Sequence, residues 1–288
     1  MFTSTKVFAV LLMMLVIQGC SQFQQQQIPP AIPEAEPPGG SGGAVGPNLE
    51  EMRRIAEKIY TNETGGAKDK LVHWNVREDF ASLGIGHFTW YPAGRAQRFG
   101  NSFPSLIQFM GQRGAQAPAW VQLAVTRGAP WYSREQLLRQ KSSAQVRQLQ
   151  DYLWDTRALQ GEYIVARAKK AMPRLVNGSP QNLRMHVANN INAVANSPGG
   201  WYPLVDYVNF KGEGLNRSGG YNGQNWGLLQ VLELMQPSGV GSQALNNFST
   251  AAYKVLERRV RNSPPQNDEA KWLPGWRNRT ETYRRPLI

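Results

Sequence analysis

From residue 48 onward, apolar positions recur every three or four residues along most of the chain. After Asn48, a good helix N-cap, Met52, Ile55, Ala56, Ile59 and Tyr60 share one helical face, and Gly65-Gly66 end the run. The same spacing predicts helices near 103–113, 118–127, 133–142, 182–196, 201–209, 226–236 and 242–261. The longest pattern covers 143–171 and rests on Val146, Leu149, Leu153, Leu159, Ile164 and Ala168. Only Phe80–Tyr91 reads as strand, with β-prone residues and Gly84 and Gly86 inside it. No internal repeat is visible. The expected class is mainly α with one small sheet.

The first 47 residues carry a different signal. Met1–Lys6 is a short positive stretch, and Val7–Ile17 is an apolar run of 11 residues. A bilayer-spanning helix needs about 20 residues, so this segment reads as a secretory signal. Leu15-Val16-Ile17-Gln18-Gly19-Cys20 resembles a bacterial lipobox, which makes residues 1–19 a lipoprotein signal peptide and Cys20 the lipidated residue. Residues 20–47 are rich in Gln, Pro and Gly without apolar periodicity, and read as a tether with a reach of ~30 Å. With Ser21 after the cysteine, this resembles an outer-membrane lipoprotein of a Gram-negative cell. Its anchor would sit in the inner leaflet of that membrane, with residues 48–288 facing the periplasm.

Charge sharpens the division. The chain has a net charge of +12, and residues 1–47 hold only Lys6, Glu34 and Glu36, which leaves +13 on the body. A basic body is drawn to polyanions, cell wall included. Nucleic acid is not an expected partner, because zinc-finger spacing, an RNP aromatic pattern and a basic heptad are all missing from the sequence. One cysteine and three histidines exclude a disulfide framework and leave few ligands for zinc or iron, so neither metal nor cofactor is expected.

Candidate chemistry starts at Asn62-Glu63-Thr64-Gly65-Gly66. A carboxylic acid where a helix stops beside apolar neighbours suits a general acid, since desolvation disfavours its charged form. The same pattern also describes an ordinary solvated helix end. Glu78-Asp79-Phe80-Ala81-Ser82-Leu83-Gly84-Ile85-Gly86-His87-Phe88 then adds two acids and a hydroxyl on a tight strand. Together these segments resemble the lysozyme superfamily, in pattern most like phage-type lysozymes of glycoside hydrolase family 24. Trp272-Leu273-Pro274-Gly275-Trp276-Arg277-Asn278-Arg279 also resembles the close of some phage lysozymes.

The resemblance covers 49–92, and more weakly 272–283. It implies an α+β lysozyme-like fold whose hairpin sheet lines a cleft, with 48–288 as an elaborated catalytic domain. It also implies catalytic roles for Glu63 as general acid, Asp79 as second acid and Ser82 as the hydroxyl that holds water or steadies that acid. Asp79 stands three residues before Ser82, closer than in the phage enzymes. Its separation of 16 residues from Glu63 is nearer to lysozyme-fold chitosanases. Glycoside cleavage needs one carboxyl to protonate the leaving oxygen and one carboxylate to stabilise charge or activate water. Glu63 acting alone as acid and then base would instead make the chain a lytic transglycosylase.

Glu78 and His87 complete the expected binding wall, His87 as a structural hydrogen-bonder. Trp90 and Tyr91 flank the hairpin and are read either as subsite walls or as core packing. Farther on, Trp226-Gly227-Leu228-Leu229-Gln230 is loosely similar to a cleft-lining stretch of lytic transglycosylases. Tyr221, Asn222, Gln224, Trp226 and Gln230 are therefore candidate sugar contacts, or simply a polar loop leading into a helix. Glu213 is a candidate binding or catalytic carboxylate, or an ion-pair partner of Lys211. The expected activity is cleavage of peptidoglycan glycan strands. The alternatives are a non-catalytic wall-binding lipoprotein and a glycosidase acting on a chitin-type polymer.

Overall fold

Asn48 starts the first helix as expected: its side chain accepts a hydrogen bond from the Glu51 N–H at 2.9 Å. The resulting helix, α1 (Leu49–Thr64), buries Ile55, Ala56, Ile59 and Tyr60 and ends at Gly65, whose left-handed φ of 63° favours glycine. The computed structural model describes residues 46–97 and 100–287. The expected signal peptide, Cys20 and all but the last two residues of the expected tether lie outside them.

A short 3-10 turn, Lys68–Leu71, leads into a three-stranded antiparallel sheet of β1 (Val72–His73), β2 (Ala81–Leu83) and β3 (Phe88–Trp90), in that order. The register sets Ser82 opposite both His73 and Thr89. The β2–β3 connection is pinned from the helical side, where the fully buried Gln160 accepts the Ile85 N–H at 2.9 Å. A Cβ at Gly84 would meet the same carboxamide oxygen at 2.3 Å, so only glycine lets the turn come so close.

Next come α2 (Ser102–Gly111), α3 (Ala119–Ala124), α4 (Arg134–Arg139), α5 (Ala144–Asp155) and α6 (Arg157–Gly178). The single pattern expected over 143–171 is thus two helices. The chain leaves helical geometry at Thr156 (φ −97°, ψ 15°), whose hydroxyl bonds back to the Tyr152 carbonyl at 2.7 Å. The second half of the body holds α7 (Arg184–Ala195), α8 (Trp201–Lys211), α9 (Leu228–Leu234), α10 (Ser242–Asn262) and α11 (Leu273–Glu281), followed by a 3-10 turn, Thr282–Arg284. The protein is mainly α with one small antiparallel sheet.

Every residue from Trp201 to Tyr207 is buried, so α8 is the central helix, packed against α1, α6, α7, α9 and α10. The core is one continuous cluster that runs from α1 through the sheet to Tyr283. Among the described residues, no helix is long and apolar enough to cross a membrane.

Candidate functional site

The end of α1 meets the end of α11 inside the protein. Glu63, with 13% of its side chain exposed, accepts a hydrogen bond from Arg279 Nη2 on Oε1 at 2.6 Å. The same guanidinium grips Asp206 of α8, with Nε on Oδ2 and Nη2 on Oδ1, both at 2.8 Å. Asp206 is fully buried and is completed by the Tyr283 hydroxyl at 2.6 Å and the Asn62 amide at 3.2 Å. An ionised carboxylate survives at such depth only when its oxygens are fully hydrogen-bonded, which these donors achieve. Burial alone would lower the Arg279 pKa; the Asp206 and Glu63 charges outweigh it and hold the guanidinium well above its ordinary range. Burial, reinforced by the Asp206 charge, pushes the Tyr283 hydroxyl far up as well, so it remains a donor.

The sheet supplies the facing wall. His87, in the strained left-handed region at φ 49°, brings Nδ1 to 3.4 Å from Glu63 Oε2. Its Nε2 is buried without a hydrogen-bond partner among the described residues. In the loop between β1 and β2, Glu78 Oε2 accepts from Asn75 Nδ2 at 3.0 Å and from Ser82 Oγ at 3.3 Å. Burial pushes the Glu78 carboxyl up, while the Asn75 and Ser82 bonds and the His87 charge pull the other way without cancelling it. The loop is fixed by the Trp74 indole, which donates to the Glu78 carbonyl at 2.8 Å.

Between the β2–β3 turn, α6 and the last turn of α8 lies a cleft of about 320 Å³. His87 forms one wall; Asn209, Phe210 and Lys211 form the other. Glu63 is not itself in this lining but contacts His87, and the guanidinium of its partner Arg279 lies 3.9 Å above the Phe210 ring. His87, which lines the cleft, thus stands between two carboxylates, Glu63 paired with Arg279 and Glu78 desolvated and bonded to Ser82. Such unequal environments are what divides acid from base roles between two carboxyls.

Comparison with protein-family models, curated proteins and solved structures finds no match to this chain.

Of the residues expected from the sequence, the fold brings together Glu63, Glu78, Ser82 and His87. It does not add Asp79, which is exposed on the loop; the carboxylate bonded to Ser82 is that of Glu78. Trp90 and Tyr91 are core residues at 0% and 2% exposure, with no surface for a ligand. Trp90 packs instead among Phe103, Trp120 and Trp131.

The 213–230 segment spends its polar groups largely on its own support. Glu213 pairs with Arg174 at 2.5 Å, not with Lys211. The Tyr221 hydroxyl donates to Glu269, and the Tyr221 ring packs on Trp226 with centroids 4.9 Å apart. Arg259 lies 4.2 Å from the Trp226 ring and closes on Glu269 with two 2.7 Å bonds. Gln230 accepts the Gly227 N–H and donates to the Gly214 carbonyl, both at 3.0 Å, which ties its carboxamide to the loop. Asn222 and Gln224 are exposed in the turn, with Gln224 accepting from Asn262 at 3.2 Å.

Asp206 and Lys211 are the site residues that sequence reasoning missed, along with the role of Arg279. A lone acid within Trp201-Tyr202-Pro203-Leu204-Val205-Asp206-Tyr207 was the available signal, because a buried carboxylate demands a partner.

Proposed function

We propose that this chain cleaves the glycan strands of peptidoglycan, as a lipoprotein anchored through Cys20 in the outer membrane, with Glu63 as the group that protonates the leaving glycosidic oxygen. The observation that carries the reading is the contact of Glu63 with His87, which lines the cleft and whose charge also reaches the Ser82-bonded Glu78. The lysozyme-like resemblance of 49–92 supplies the reaction.

Arg279 occupies Glu63 Oε1 and His87 Nδ1 lies 3.4 Å from Oε2, so the proton to be delivered sits on Oε2, beside the imidazole. Glu78 stands in place of Asp79 as the second carboxyl; burial favours its protonated form, so it serves as the second carboxylate only at pH above its raised pKa. It would stabilise positive charge on the sugar or activate a water held by Ser82. The export address and the basic body agree with an anionic cell-wall polymer as substrate.

One observation favours a second reading. Glu63 is already neutralised by Arg279, as suits a structural carboxylate, and a non-catalytic wall-binding lipoprotein would need nothing more.

Incubation of purified sacculi with the full chain, followed by mass spectrometry of soluble fragments, tests the proposal. Reducing ends are the expected product if Glu78 assists a hydrolytic reaction, and anhydro-muramyl ends if Glu63 acts alone. Binding without any soluble product would select the second reading.

A further inference from the structure

The cleft beside His87 contains more cationic charge than the proposed cleavage uses. Its lining includes Arg167 and Lys211 and no Asp or Glu. Lys211 Nζ lies between two rings, 3.8 Å from the Phe210 centroid and 4.1 Å from that of Trp276. Among the described residues it pairs with no carboxylate. The acids whose charge it feels, Glu269 and Glu63, are committed to Arg259 and Arg279. Arg167 is exposed, 5.7 Å from the Tyr163 ring, and has no acidic partner among the described residues either. Asn209, whose carboxamide faces the Gly86 backbone, makes no hydrogen bond among the described residues. The rest of the lining combines the apolar Ile164, Val205, Val208 and Phe210 with the hydroxyl residues Thr89 and Ser102.

An aromatic cage with an unpaired ammonium, a second free cation, a free amide and an apolar wall has a matching ligand. Sugar rings present an apolar face to the wall and hydroxyl or acetamido groups to the amide, while the cations require an anion. We infer that this cleft is a subsite for a carboxylate-bearing sugar, on a glycan strand one whose carboxyl carries no peptide, in which Lys211 and Arg167 take the carboxylate and Asn209 the neighbouring hydroxyl or acetamido group. The inference rests on the glycan-cleavage reading for the class of ligand and adds to it which sugars are selected.

Burial, with the Arg259 and Arg279 charges, holds the Lys211 pKa well below the ordinary lysine range. A bound carboxylate offsets that penalty and favours the ammonium form. A neutral sugar offers no such compensation.

The test is equilibrium binding by the full-length protein carrying Glu63→Gln, so that no turnover intervenes. The probes are the alternating N-acetylglucosamine–N-acetylmuramic acid tetrasaccharide, its carboxyl methyl ester, chitotetraose and a tetra-uronate. The acidic tetrasaccharide is expected to bind at least tenfold tighter than its ester. Lys211→Met is expected to bring that ratio close to one, and Lys211→Arg to retain most of it, with thermal unfolding recorded for both variants. Equal affinity for the acid and its ester overturns the subsite and leaves the cleavage reading standing. Tight binding of the uronate alone upholds the carboxylate subsite and removes peptidoglycan as the substrate. Binding of none of the four overturns both.

Discussion

Arg279 is the residue on which the site turns, because one guanidinium serves a buried carboxylate, Asp206, and the candidate catalytic one, Glu63. Removing one partner of a buried pair leaves the other charged and desolvated, which costs about 3–5 kcal/mol. Arg279→Met is therefore expected to lower the urea-denaturation free energy by about that amount, and Asp206→Asn to cost less, since its amide still accepts from Tyr283. Equal, small losses for both variants would show that the pair is not a structural keystone.

Glu78 has the opposite electrostatics. Burial raises its pKa above the ordinary value of 4.5, so the folded state holds a proton that the unfolded chain releases. Stability from this group is full below pH about 4.5 and is lost as pH rises through the raised value. Glu78→Gln removes that loss. Its melting temperature relative to wild type is expected to rise from pH 4 to pH 7, and a flat difference would mean that Glu78 is not desolvated.

At the scale of elements, the α1–α6 crossing sets where Glu63 points. Gly161 of α6 lies so close to α1 that a Cβ there would come 2.3 Å from Ala56 Cβ. Gly161→Ala is expected to destabilise the fold by ~1–3 kcal/mol through overpacking, although alanine is the better helix former. Chemical denaturation checks the sign, and a stabilised variant would show that the crossing has slack.

Most of these helices were legible because a 3.6-residue apolar repeat marks any helix with one buried face, as in α1, α2 and α10. Other elements were illegible for definite reasons. β1 is two residues long, too short to alternate. The α5–α6 break occurs inside an unbroken apolar pattern, at a threonine that no periodicity distinguishes. No helix was expected around Pro274 and Gly275, yet Pro274 falls in the first turn of α11, where its missing N–H costs nothing. The site followed the same rule. Glu63, Ser82 and His87 carried local signals, whereas the choice of Glu78 over Asp79 depends on which way a loop turns, and Arg279 reaches Glu63 across 216 residues.

At the scale of the whole molecule, the C-terminal segment is part of the site. Tyr283 is fully buried against Tyr202, Tyr207 and Phe248, and α11 delivers Arg279. A chain ending at Asn262 is expected to lose cooperative unfolding, and a truncated protein with a wild-type melting curve would refute that role.

The charge of +13 on residues 48–288 acts over the same scale. Retention on sacculi by the Glu63→Gln protein is expected to fall several-fold between 50 and 500 mM salt, because exposed charges are screened over a Debye length of about 10 Å at 0.1 M. Salt-independent retention would assign binding to the cleft alone.

The most direct test of the central claim compares release of soluble glycan from purified sacculi by wild type and by Glu63→Gln. The substitution preserves the shape of the side chain and removes its transferable proton. Release by the wild type, with a loss of about 10²-fold or more in a variant that stays folded at the assay temperature, is the predicted result. Equal release by the two proteins would remove Glu63 from the chemistry, and no release by the wild type would contradict the account at its root.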